Sequence, residues 1–85
     1  MSEEEIGKVT HYFGKIHVAA IDLTDGELHV GDKVHIKGHT SDFVQTIDSM
    51  EIDHHPVATA AAGESVGTRV SGHAREHDSV FKVID

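Results

Sequence analysis

Nowhere in this chain do apolar residues recur at helical spacing over a useful length; they alternate instead, and that alternation decides the fold class. In Lys33-Val34-His35-Ile36-Lys37, the pattern predicts Val34 and Ile36 inward and Lys33, His35 and Lys37 outward. Residues 65–70 put Val66, Thr68 and Val70 on one side, while Ile16, Val18 and Ala20 share a parity further upstream. The run 79–84 is apolar on both parities. Asp25-Gly26, Gly31-Asp32, Gly38 and Gly63-Glu64 punctuate these runs as turns. Pro56, the only proline, comes just after a long run, where a missing amide donor is tolerated.

The long run from Asp42 to Asp53 carries an irregularity. Phe43, Gln45 and Ile47 share one parity, but Met50 and Ile52 take the other. A period-two strand cannot bury both groups, so a bulge or sharp bend is expected near Asp48-Ser49. The spacing predicts about six strands, near 6–13, 15–23, 32–37, 42–54, 65–71 and 79–84. Short strands without a helix favour a small closed antiparallel-type barrel, because closure removes exposed edges. An open barrel or small sandwich is the alternative.

Eighty-five residues allow a single domain, expected over 6–85 behind an acidic, solvated tail at 1–5. There is no cysteine and no tryptophan, so the core must come mainly from Val, Ile, Ala and three Phe. Nothing approaches a membrane span, and the acidic start Met1-Ser2-Glu3-Glu4-Glu5 is unlike a signal peptide, which points to the cytoplasm. Seven basic against fifteen acidic residues give a net charge of −8 with the nine histidines neutral. Such a field repels polyanions, and DNA or broad RNA binding is disfavoured. A sparse basic stripe of Lys8, Lys15, Lys33 and Lys37 is the only candidate phosphate surface, and a basic protein is the better electrostatic partner.

The resemblance to known proteins rests on two segments. Leu23-Thr24-Asp25-Gly26-Glu27-Leu28-His29-Val30-Gly31-Asp32-Lys33-Val34-His35-Ile36-Lys37-Gly38 resembles the second domain of elongation factor Tu and its relatives. So does Ala62-Gly63-Glu64-Ser65-Val66-Gly67-Thr68-Arg69-Val70, with the same order and spacing. Without the family, Gly67 reads as a position letting a neighbour approach closely. The end, Ala74-Arg75-Glu76-His77-Asp78-Ser79-Val80-Phe81-Lys82-Val83, departs from elongation factor Tu. It is similar to small stand-alone translation elongation factor-like proteins and to the terminal barrel of collagenase-like peptidase proteins linked to RNA hydroxylation.

The resemblance implies a non-catalytic barrel adaptor associated with translation or RNA-modifying machinery. Its partner would be a translation-linked protein or a structured RNA end such as tRNA or rRNA. Counting back from the Ala-Gly-acidic motif, Glu51 falls where that domain keeps a glutamate beside its aminoacyl-adenosine pocket, with Ile52, His54 and His55 adjoining. Lys33, His35 and Lys37 form the candidate RNA-facing strand. The second class of reading is a protein–protein module for an unrelated enzyme, and the third a histidine-based metal or pH-responsive protein.

No phosphate loop is present, so GTP hydrolysis is excluded, and no cofactor is implied. The pairs His35/His39 and His73/His77 have zinc-like spacing only on a helix, and His54 and His55 diverge on a strand. No metal site is therefore assigned. Ser41-Asp42 and Ser49 lack a histidine placed by any recognisable motif, and the expectation is a protein that is not an enzyme.

Overall fold

The computed structural model describes residues 2–84, and among these residues there are ten strands, most of them short. They are β1 (Ser2–Phe13), β2 (Val18–Leu23), β3 (Glu27–His29), β4 (Lys33–Lys37) and β5 (Asp42–Thr46), then β6 (Met50–Ile52), β7 (His55–Val57), β8 (Thr59–Ala61), β9 (Ser65–Arg69) and β10 (Ser79–Ile84). Eight pair antiparallel in the order β5-β4-β10-β1-β2-β9-β6-β7, and β3 pairs with β8 separately. The all-β, antiparallel expectation therefore holds. The closed six-stranded ring does not: main-chain pairing ends at β5 on one side and β7 on the other.

The difference has a physical origin. Run 42–54 breaks between Thr46 and Met50, at the expected bend, so that Ile47 and Met50 are both buried despite opposite parity. After the break, β6 and β7 form a hairpin with a two-residue turn, closed by the pair Ile52↔His55; the expected single strand 42–54 takes in β6 and the turn and stops short of β7. Pro56 lies on β7, an edge strand, where its missing donor costs no ladder bond on the open side. The gap between β5 and the chain after β9 is spanned by a side chain. Gln45 Nε2 donates to the Arg69 carbonyl at 2.9 Å, and the Ser71 amide donates to Gln45 Oε1 at 2.6 Å. One carboxamide thus does what a strand neighbour would do.

Residues 2–5, expected as a tail, are strand. Ser2 to Glu5 pair with Ile84 to Phe81, so the glutamates are exposed residues on a satisfied backbone. Two irregularities in β1, between Glu5 and Gly7 and between Val9 and His11, let Ile6 and Val9 both enter the core. At Gly7 the backbones come so close that a Cβ would collide with the Asp22 carbonyl oxygen.

One aliphatic cluster fills the interior, with Ile6, Ile21, Leu28, Val34, Ile36, Ile47, Met50, Val66 and Val80 at its centre. No phenylalanine belongs to the buried set, contrary to the compositional expectation. Phe43 packs partly against it, and Phe13 is 46% exposed. In β2 the buried parity is Ala19, Ile21 and Leu23. Ile16, Val18 and Ala20 lie on the other side, and Ile16 sits in the turn before the strand, 58% exposed. These apolar residues displaced from the core, with Phe13, gather on the outer face of the sheet.

Candidate functional site

Phe13 and Val18 are paired across the β1–β2 hairpin, and its connecting turn carries Ile16. Next to β2 lies β9, whose Gly67 stands between Ala20 on one side and Glu51 of β6 on the other. Because Gly67 has no side chain, the outer face of the sheet sinks into a groove of about 360 Å³, walled by Phe13, Ile16 and Val18. Glu51, Asp53 and His54 form its rim. A second hollow of the same size shares Ile16, Val18, Glu51 and Gly67 and runs on to Asp48 and Arg69.

Gly67 is not there for close approach, as its place in the strand suggested. A Cβ built on it would meet only Val18 Cγ1, at 3.6 Å, an ordinary contact, and its φ is not left-handed. The fold would accept a side chain at this position. Close approach to a neighbouring strand's backbone occurs at Gly7, and close approach to the Phe43 ring at Gly72.

Two of the expected site residues line this groove. Glu51 is exposed on β6, opposite Gly67 and Pro56, and no hydrogen bond within the described residues engages its carboxylate. Asp53 and His54 form the two-residue turn with φ of 51° and 65°, the arrangement of a type I′ hairpin, which favours Asn-Gly or Asp-Gly. A histidine at the second position carries strain of about 1 kcal/mol. The other two residues are elsewhere. Ile52 turns inward against the core, and His55 is exposed but not in the groove lining. Phe13, Ile16 and Val18 were not proposed as site residues. Their exposure is visible only once strand parity and the hairpin turn are known.

The expected RNA-facing strand has carboxylate neighbours. His35 is held between two carboxylates: Nε2 lies 2.5 Å from Asp42 of β5 and Nδ1 lies 2.9 Å from Glu3 of β1. Two acceptors on the two ring nitrogens require both N–H groups, so the imidazolium is the form that fits. The Asp42 hydrogen bond first, and that of Glu3 second, raise the His35 pKa above its ordinary 6.5, while His35 lowers Asp42 below 3.8. Lys37 adds to the field on Asp42, and Lys8 pairs with Glu5 at 3.3 Å. Lys33 is exposed on the same strand, and Lys15 lies in the turn before β2. The basic stripe is thus interleaved with acids.

Other polar clusters serve the fold. Asp32 is partly desolvated, yet the His29 amide and Lys82 hold its carboxyl below the ordinary range. The Ser41 hydroxyl donates to the His73 carbonyl and that of Ser65 to Asp22. Among the described residues, no group of three or more His, Asp or Glu side chains is placed to hold a metal, and no helix is long and apolar enough to cross a membrane.

No family model matches the chain. Over 78 residues, 91% of this chain, it is 38% identical to an uncharacterised protease of Methanocaldococcus jannaschii. Over the same length it is 28% identical to a collagenase of Porphyromonas gingivalis. The chain spans about a fifth of these relatives, 19% and 22% of their lengths. Its fold is that of the C-terminal domain of a Geobacillus thermoleovorans protein assigned to the U32 peptidases. The TM-score is 0.88 at 19% identity, covering 95% of this chain and 93% of that one. The selenomethionine form of that domain superposes with a TM-score of 0.84, covering 91% and 96%. The collagenase-like part of the sequence resemblance is thereby supported. The stand-alone elongation factor-like reading, and with it the link to translation, finds no support in these relatives.

Proposed function

We propose that this chain is a non-catalytic binding module of a protease-family protein, and that it takes up polypeptide in the groove over Gly67. The observation that carries the reading is the groove itself. Apolar side chains left outside an aliphatic core, on a molecule of net charge −8, form a surface that water does not stabilise. The likeness to a U32 peptidase C-terminal domain and to a protease and a collagenase sets the context: a small domain beside a larger machinery that handles polypeptide. Adaptor binding of RNA has less to rest on, because Lys8, His35 and Lys37 each sit near carboxylates.

The test is retention on the immobilised chain, comparing a tryptic peptide pool from unfolded proteins with bulk tRNA at near-physiological salt. Peptide retained by the wild type and released by Gly67→Val supports the reading. Retention of tRNA with no peptide overturns it.

A further inference from the structure

We infer that the occupant of the groove is an extended, basic and apolar polypeptide segment, seating one large aliphatic or aromatic side chain above Gly67 and setting a lysine or arginine against Glu51 and Asp53. This rests on the polypeptide-binding proposal and narrows it to a class of sequence.

Three observations converge. The first is the absence of a reason for glycine. A strand-interior glycine costs about 0.5–1 kcal/mol relative to alanine, and here neither φ nor packing demands it. What its missing side chain provides is depth, at the point where Val18, Ile16 and Phe13 converge. The second is size. A groove of about 360 Å³ lies at the small end of the roughly 300–1,000 Å³ range of ligand clefts. That is room for one or two side chains of a chain passing over the surface. The walls are already hydrophobic and exposed, Phe13 at 46% and Ile16 at 58%.

The third is charge. Glu51, Asp53 and Asp48 line the two connected hollows against a single Arg69. The whole molecule is acidic as well, so near and far fields both favour a cationic partner. An acidic segment, or the phosphates flanking a stacked base, would meet repulsion from the rim. The same rim gives a lysine or arginine next to the buried anchor a carboxylate, that of Glu51, which no hydrogen bond within the described residues engages.

The experiment uses short labelled peptides and the whole chain. One peptide alternates leucine and lysine; a second replaces leucine by alanine; a third replaces lysine by glutamate; an oligouridine is the fourth probe. The expected result is that the leucine–lysine peptide shifts the amide resonances of Ile16, Val18, Glu51 and Gly67. Each altered peptide should bind at least about tenfold more weakly by fluorescence anisotropy. Gly67→Val should keep the melting temperature within about 2 °C while losing at least about tenfold in affinity. Ile16→Ser, in an exposed turn, should repeat the loss without touching a core contact. Equal binding of the glutamate peptide would overturn the basic–apolar class and leave the polypeptide reading standing. Undiminished binding to both variants would overturn the groove as the site. Binding of oligouridine alone would overturn the inference and the polypeptide reading together.

Discussion

The two halves of the sheet treat their outward faces in opposite ways. On the β1-β10-β4-β5 side, a histidine that reads as an ordinary exposed strand position is clasped by Glu3 and Asp42, and Lys37 on the same strand also acts on Asp42. On the β2-β9-β6-β7 side, Val18, together with Phe13 at the end of β1 and Ile16 in the β1–β2 turn, surrounds a bare Gly67, and no hydrogen bond within the described residues engages the Glu51 carboxylate. One face finds polar partners within the chain; the other leaves apolar side chains exposed. Outwardness alone therefore says little about function. What separates the halves is whether neighbouring strands supply partners.

Two glycines sharpen the contrast and give the largest expected effect. Gly7→Ala must push a methyl group into the Asp22 carbonyl, a backbone atom that cannot swing away. The expected cost is about 3 kcal/mol, which for a domain this small lowers the melting temperature by roughly 12 °C or more. Gly67→Ala should be neutral or stabilising by about 0.5 kcal/mol. Thermal melts of the two variants side by side decide the matter. If Gly67→Ala destabilised as Gly7→Ala does, the distinction between a structural and a site glycine would collapse.

The seam joining the halves comes next. Gln45→Ala removes both hydrogen bonds to the Arg69–Ser71 backbone and leaves nothing in their place. A loss of about 1–2 kcal/mol in urea unfolding is expected, with faster hydrogen exchange at the Ser71 amide. An unchanged exchange rate there would mean that the carboxamide does not hold the seam. On the groove side, His54→Gly relieves the left-handed turn and should stabilise by about 1 kcal/mol. The gain would be read in the same urea experiment, and a loss would show that the imidazole makes contacts outweighing its backbone strain.

Much of the fold was legible from parity. Val34 and Ile36, Val66, Thr68 and Val70, and the bend before Met50 all stand as the alternation implies. What escaped was long-range. The pairing of Ser2–Glu5 with the last strand depends on residues some eighty positions away, and no local pattern announces it. Likewise, β3, β7 and β8 are three-residue strands, too short for a period to emerge. Closure of a barrel was inferred from the need to hide edges, but a glutamine side chain ties one edge strand back without a ladder. Glu51 and His54 were reachable by counting along a motif, whereas Phe13 and Ile16 were hidden by the rule that apolar residues go inside. Composition makes three phenylalanines look indispensable to the core, whereas its fully buried centre holds none, with Phe43 only packed against it.

The smallest effect tests the satisfied half. His35 has a folded-state pKa above 6.5, so its contribution is fully present below that value and is lost as pH rises through the raised pKa. Asp42 has the opposite sign: its lowered pKa makes its contribution present above 3.8 and lost as pH falls through the folded value. Together they define a window, above the lowered Asp42 pKa and below the raised His35 pKa, in which the His35–Asp42 pair is charged on both sides. Stability of the wild type measured by urea unfolding should decline gently from pH 6.5 upward, and His35→Gln should remove that decline. The slope is small because the carboxylates of Asp42 and Glu3 are solvent-accessible, so the pairing is weakened by water and screened by salt. The groove has no part in this clasp, so the same substitution should leave peptide affinity unchanged at every pH. Were His35→Gln to weaken peptide binding as well, the two faces would be coupled, and their division into a self-satisfied half and a partner-seeking half would fail.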